Sequence, residues 1–322
     1  MHGFAGASRG QRAVTAALLL MGCAAAGRAA ATCELGRFDL PVTMQGRWAM
    51  VTAGINGHAV RLLADSGTFF STLSAAGAAE LRLSVGAPRT PIFSHSLGGN
   101  ALASVTTVRT FTLGAATLPN VEFIVGGRGP PGAVGVLGDN VLGLFDTEYD
   151  LASGVIRLMR PRGCGDSDLA YWATAQPHSV LDLDWGAQSV APPRGTAYVN
   201  GHSIRVVFDS GASVSLLALR AAERAGVRPG GAGVVAAAAM AGGGSGRIET
   251  WIAPFDSFRI GDEEILHTHL RIGDLGLIDT DMLLGADFFR SHHIYLSASQ
   301  HRAYFTYNGG PVFNLATDPA VK

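Results

Sequence analysis

Short apolar runs broken by turn residues dominate the chain, and the same pattern occurs twice. Residues 60–64 (Val-Arg-Leu-Leu-Ala) and 204–208 (Ile-Arg-Val-Val-Phe) read as mostly buried strands. Each follows an Asn-Gly-His turn, Asn56-Gly57-His58 or Asn200-Gly201-His202, and each delivers an aspartate to a Gly-containing turn. Asn-Gly between strand-like runs predicts a two-residue hairpin, because both residues tolerate positive φ. Further on, each half predicts a short helix (residues 75–81; 220–225), a Gly-rich segment and more strands. A second short helix (140–144; 287–291) and a closing hairpin (149–159; 294–305) follow. Many strands, frequent turns and short helices make each half a small all-β barrel or sandwich-like unit.

The two halves align beyond this pattern. Residues 56–73 and 200–217 share Asn-Gly-His, an Arg, Asp-Ser-Gly and a later Ser at an offset of 144. Phe111-Thr112-Leu113-Gly114 answers Phe258-Arg259-Ile260-Gly261, and Val136-Leu137-Gly138 answers Leu283-Leu284-Gly285. Three landmarks in the same order and spacing indicate a tandem duplication. The expected organisation is residues 1–31 as a leader, 32–165 as the first repeat, 166–178 as a polar, irregular linker and 179–322 as the second repeat.

Composition narrows the class. With 24 Lys+Arg against 25 Asp+Glu, nothing drives the chain toward nucleic acid or acidic membranes. Residues 1–31 lack Asp and Glu, carry Arg9, Arg12 and Arg28, and place an apolar stretch before Ala29-Ala30-Ala31. That is the layout of a secretory signal peptide, so the protein is expected to be periplasmic or secreted. Leu20-Met21-Gly22-Cys23 also resembles a bacterial lipoprotein box, which leaves open membrane anchoring through a lipidated Cys23. Cleavage at Ala31 leaves Cys33 and Cys164, and an even pair in an oxidising compartment is expected to form a disulfide.

The candidate chemistry lies in the repeated aspartates. A pseudo-twofold arrangement brings Asp65 and Asp209 face to face, where two carboxylates share a proton and supply acid and base at once. Gly67 and Gly211 allow backbone amides to approach, and the Ser66 and Ser210 hydroxyls can hydrogen-bond across the dyad. Only the first motif continues with a hydroxyl residue, Thr68 against Ala212. Thr68 is therefore expected to make Asp65 the more acidic partner and Asp209 the proton carrier.

On these motifs the chain resembles the aspartic proteases, specifically the retropepsin-like group of bacterial exported proteins, in two copies over the mature chain. The resemblance implies that Asp65 and Asp209 are the catalytic pair. It also implies that Val136-Leu137-Gly138 and Leu283-Leu284-Gly285 pack beneath their loops and lead into the final helices. A Gly-rich flap from each lobe is implied as well, matched best by Gly98 and Gly99 in the first and by Gly242 and Gly243 in the second. The second flap region, residues 234–246, is nearly pure Ala and Gly and reads as flexible. Asp-Ser-Gly replaces the usual Asp-Thr-Gly, keeping the hydroxyl and losing a methyl. Asp139 and Ala286 stand where retroviral members carry Arg.

Other signals carry less. His267 with His269, and His292-His293, lack a third ligand at supporting spacing and read as exposed edge-strand histidines, so no metal is expected. No phosphate-binding loop, zinc-protease helix or nucleophile elbow occurs, and no cofactor is expected. The expectation is a monomeric aspartic endopeptidase acting on a peptide or protein. A catalytically inactive peptide-binding or structural module of the same fold stays open beside it.

Overall fold

The computed structural model describes residues 32–88, 93–96, 99–126, 131–185, 192–241, 246–277, 279–313 and 315. Its first half contains β1 (Glu34–Gln45), β2 (Trp48–Ile55), β3 (His58–Ala64), β4 (Thr72–Leu73), α1 (Ala75–Glu80), β5 (Phe93–Ser96) and β6 (Gly99–Leu102). It continues with β7 (Ser104–Leu113), β8 (Ala116–Val125), β9 (Gly135–Leu137), α2 (Asp139–Leu142), β10 (Asp146–Asp150) and β11 (Val155–Arg162). The second half begins with β12 (Ser179–Asp182), β13 (Arg194–Val199), β14 (His202–Phe208), β15 (Leu216–Ala218), α3 (Leu219–Arg224) and β16 (Val235–Ala241). It ends with β17 (Arg247–Ile260), β18 (Glu263–Gly273), β19 (Met282–Leu284), α4 (Ala286–Ser291), β20 (His292–Ser297) and β21 (Arg302–Tyr307).

Each repeat closes a six-stranded barrel. The first runs β2-β3-β9-β4-β8-β7 and closes through β2 on β7; the second runs β13-β14-β19-β15-β18-β17 and closes through β13 on β17. Both Asn-Gly hairpins form as expected, with φ of 49° and 88° at Asn56 and Gly57 and 47° and 77° at Asn200 and Gly201. Positive φ at both turn positions matches the twist of the flanking strands. In each barrel the strand that leads to the aspartate lies parallel to the apolar-apolar-Gly strand, with Ala64 opposite Leu137 and Phe208 opposite Leu284.

A six-stranded sheet, β12-β21-β20-β10-β11-β1, spans both halves. The halves meet where β10 pairs antiparallel with β20, Thr147 opposite Leu296 and Tyr149 opposite Ile294. β1 belongs to two layers: residues 34–41 pair with β11 and residues 42–45 with β2. The disulfide Cys33–Cys164 forms, joining the start of β1 to the segment after β11.

The segment joining the repeats is not a solvated spacer. Leu169, Ala170 and Ala173 are buried with Met159, Cys164, Tyr295 and Tyr304 in a small apolar cluster of their own. Trp172 stacks on His293 with ring centroids 4.0 Å apart. The apolar residues within 166–178 explain the difference, since the interlobe sheet has a second face to cover. Within the segment expected to be flexible, residues 235–241 are an ordered strand, because β16 pairs with β17 from Val235 to Ala241 with a register shift between Ala237 and Met240. Sheet pairing there overrides the weak strand preference of alanine.

Candidate active site

Asp65 and Asp209 each follow the last residue of a barrel strand, and their backbone N–H groups donate to Leu137 O and Leu284 O at 3.0 and 2.9 Å. The two loops interlock through their serines. Ser66 N–H donates to Ser210 Oγ and Ser210 N–H to Ser66 Oγ, both at 3.1 Å. The hydroxyls also cross over, Ser66 Oγ donating to Phe208 O at 2.7 Å and Ser210 Oγ to Ala64 O at 2.9 Å. Each serine thus binds the strand that delivers the other half's aspartate.

The glycines set how closely the carboxylates approach. A Cβ on Gly67 would fall 2.7 Å from Asp209 Cβ and nearer still to its carboxylate carbon. A Cβ on Gly211 would meet the Asp65 carboxylate in the same way. Each carboxylate therefore rests on the glycine of the opposite loop, and only a residue without a side chain fits there.

Burial raises both carboxyl pKa values, and the charge of Asp209 pushes Asp65 well above the ordinary range. Asp209 receives two backbone hydrogen bonds, from Gly211 N–H at 3.0 Å and Ala212 N–H at 2.8 Å. Asp65 receives one in the same distance range, from Gly67 N–H at 2.8 Å. Hydrogen bonds to the charged form favour it, so Asp65 holds the shared proton and Asp209 carries the charge. This reverses the asymmetry expected from Thr68. Thr68 contributes its backbone N–H to Asp65, and among the described residues its hydroxyl makes no bond to that carboxylate.

Family models match both halves: an aspartyl protease model over residues 51–144 and a gag-polyprotein putative aspartyl protease model over residues 195–291. The chain belongs to the retropepsin-like aspartic protease family. Among solved structures it is similar to the aspartic proteinase from Irpex lacteus, at 16% identity and a TM-score of 0.53, covering 84% of this chain and 97% of that one. It also matches a retropepsin-like aspartic protease from Rickettsia conorii at 18% identity and a TM-score of 0.31, over 40% of this chain and 95% of that one. No curated protein matches.

In this family member a second shared device braces each loop from behind. Ser71 N and Oγ donate to Asn140 Oδ1 at 2.8 and 2.7 Å, and Gly138 N–H donates to Ser71 Oγ at 3.0 Å. Ser215 N and Oγ donate to Asp287 Oδ1 at 2.8 and 2.7 Å, and Gly285 N–H to Ser215 Oγ at 2.9 Å. The signal was present in the sequence as the repeated Ser after Asp-Ser-Gly, though it pointed to no partner. Asp139, in the place of the retroviral Arg, donates its N–H to Thr68 O at 2.9 Å, and burial raises its carboxyl to about 6.

Not every expected residue falls beside the dyad. Gly98, Gly242 and Gly243, like the leader and Cys23, lie outside the described residues. Gly99 opens β6 opposite Ser96 in a small hairpin, and β16 with β17 forms the corresponding arm of the second lobe. His267 and His269 are exposed, on a strand interior to its sheet rather than at an edge. His292 and His293 are buried instead, held by Glu263 at 2.8 Å and by Glu148 at 2.7 Å. They lie on β20 of the interlobe sheet, His293 stacked on Trp172 and His292 on Phe288.

Proposed function

We propose that the protein is an aspartic endopeptidase in which Asp65 and Asp209 activate a water molecule against a peptide bond. The observation that carries the reading is the reciprocal seating of each carboxylate on the other loop's glycine, with burial raising both carboxyl groups. Ionised Asp209 takes a proton from the water as its oxygen attacks the carbonyl carbon. Asp65 gives its proton to the carbonyl oxygen, and a tetrahedral diol forms. Asp209 then returns its proton to the amide nitrogen, the C–N bond breaks, and Asp65 recovers a proton from the diol. The Ser66, Gly67, Thr68 and Ser210, Gly211, Ala212 backbones hold this geometry, and in this reading Gly98, Gly99, Gly242 and Gly243 take the role of flap glycines.

The protein acts as an exported monomer on peptide or protein substrates, without a cofactor. The disulfide supports an oxidising compartment. Among the described residues no helix is long and apolar enough to cross a membrane. The test is incubation of the mature protein with a diverse peptide mixture across pH, read by mass spectrometry beside Asp65→Asn. The expected result is internal cleavage at mildly acidic pH by wild type alone. Equal product patterns from both proteins, or no cleavage by either, would leave the fold as a peptide-binding module.

A further inference from the structure

Directly beneath the two serine hydroxyls lies a residue that the dyad symmetry does not call for. Tyr149, on β10, is 1% exposed. Its ring meets Phe289 edge-on at 4.9 Å. Its hydroxyl faces the Ser66 and Ser210 side chains, with the carboxyl groups of Asp65 and Asp139 as the charged neighbours in range. The register of β10 on β20 pairs Tyr149 with Ile294 and Thr147 with Leu296, so a twofold through that pairing maps Tyr149 onto Leu296. The phenol therefore enters the dyad from one lobe only.

The hydrogen inventory of the serine pair shows what it lacks. Each seryl oxygen has one hydrogen and two acceptor positions. Both hydrogens are committed to the carbonyls of Phe208 and Ala64, and each oxygen accepts one N–H from across the dyad. One acceptor position per oxygen is left, and the 3.4 Å between the two oxygens holds no spare hydrogen to fill it. A donor from outside the pair can fill it. A buried tyrosine hydroxyl requires a partner of its own, and burial keeps the Tyr149 phenol protonated by raising its pKa.

We infer that Tyr149 is a positioning residue for the dyad, whose O–H donates into the Ser66–Ser210 pair from below and ties the interlobe sheet to both aspartate loops. The inference rests on the reading of Asp65 and Asp209 as the catalytic pair. Without the hydroxyl the loops loosen, water reaches Asp65, and the burial that holds its proton is relieved.

The test compares wild type, Tyr149→Phe, Ser66→Ala and the double variant in kcat, KM and pH profile on a cleaved peptide, with melting temperatures measured alongside. Tyr149→Phe keeps the ring and its contact with Phe289. It is expected to lower kcat about tenfold, the worth of one buried hydrogen bond, with KM within about twofold. The basic limb of its profile should move to lower pH, and in the Ser66→Ala background its effect should shrink to about twofold or less. An unmoved limb with unchanged kcat, or fully independent effects of the two substitutions, overturns the inference. If wild type cleaves nothing at any pH, the catalytic reading fails on its own. The melting temperatures then decide about Tyr149: non-additive losses support it, and additive losses sink it.

Discussion

At Asp65 and Asp209 the same side chain acquires two characters from its surroundings: the charge of Asp209 adds to burial in raising Asp65, while the N–H groups of Gly211 and Ala212 hold Asp209 closer to its ionised form. Both pKa values are raised first by burial, so the folded state binds protons more tightly than the unfolded chain. For a carboxyl whose folded pKa is raised, stability is fully present below the unfolded value, near pH 4, and falls as pH rises toward the folded value. Asp65→Asn should therefore melt higher than wild type at pH 7, with the gap closing below about pH 4. Melting curves of the two proteins at both pH values check this, and an equal or lower melting point for the variant at pH 7 contradicts it. Cleavage should be lost in Asp65→Asn and in Asp209→Asn alike. Thr68→Ala should leave both limbs of the pH profile in place, since Thr68 acts through its backbone. At this scale the sequence showed which residues meet, because Asp-Ser-Gly appears twice. It hid which aspartate keeps the proton, because N–H directions in a loop leave no trace in residue identity. Tyr149 was equally hidden, since in the sequence it is one more apolar position of a strand.

The elements were the most legible level. Asn-Gly turns, the strands leading to the two aspartates and all four short helices fall close to where hydrophobic spacing and turn residues put them, because each is decided locally. What spacing missed was decided by distant chain: the alanine strand β16 exists through β17, and residues 169–173 are buried by the sheet above them. Close packing between elements also predicts where substitution fails. A Cβ on Gly285 would lie 2.6 Å from Val214 O, and one on Gly138 would lie 2.8 Å from Phe70 C. Both obstacles are backbone and cannot rotate away. Gly138→Ala and Gly285→Ala should each cost about 1–3 kcal/mol in urea unfolding. Gly36→Ala, whose nearest neighbour would be at 3.5 Å, should be close to neutral. The disulfide closes a loop of 131 residues, for which the chain-entropy model gives about 5 kcal/mol. Unfolded, unreduced mature protein should show no titratable thiol, and Cys33→Ser should unfold at markedly lower urea.

Across the whole molecule the two lobes are held at β10 and β20, and the chemistry of that seam has a pH dependence opposite to that of the dyad. Glu148 is fully buried there, accepting from Tyr171 Oη at 2.6 Å and His293 Nε2 at 2.7 Å and paired with Arg157. Burial alone would raise its pKa, but His293, Tyr171 and Arg157 outweigh that and hold it below the usual value. A depressed carboxyl contributes stability above its unfolded pKa and loses it as pH falls through the folded one. The seam therefore weakens in acid while the dyad relaxes, and Glu148→Gln should destabilise at pH 7 by on the order of 3 kcal/mol, leaving Arg157 only its longer contacts with Asp150 and Asp39. The seam also fixes how activity depends on concentration. A half-size member of the family gains its second aspartate only by meeting another copy, so its specific activity falls on dilution. Here the segment after β11 carries the chain under the sheet into the second repeat, and Asp209 is supplied by the same chain as Asp65. The effective concentration of the second half is set by that covalent path and not by the solution. Sedimentation should find a monomer, and activity per mole should stay constant over a hundredfold dilution. A steep fall in specific activity, together with a dimer in sedimentation, would mean that the working dyad is assembled between chains.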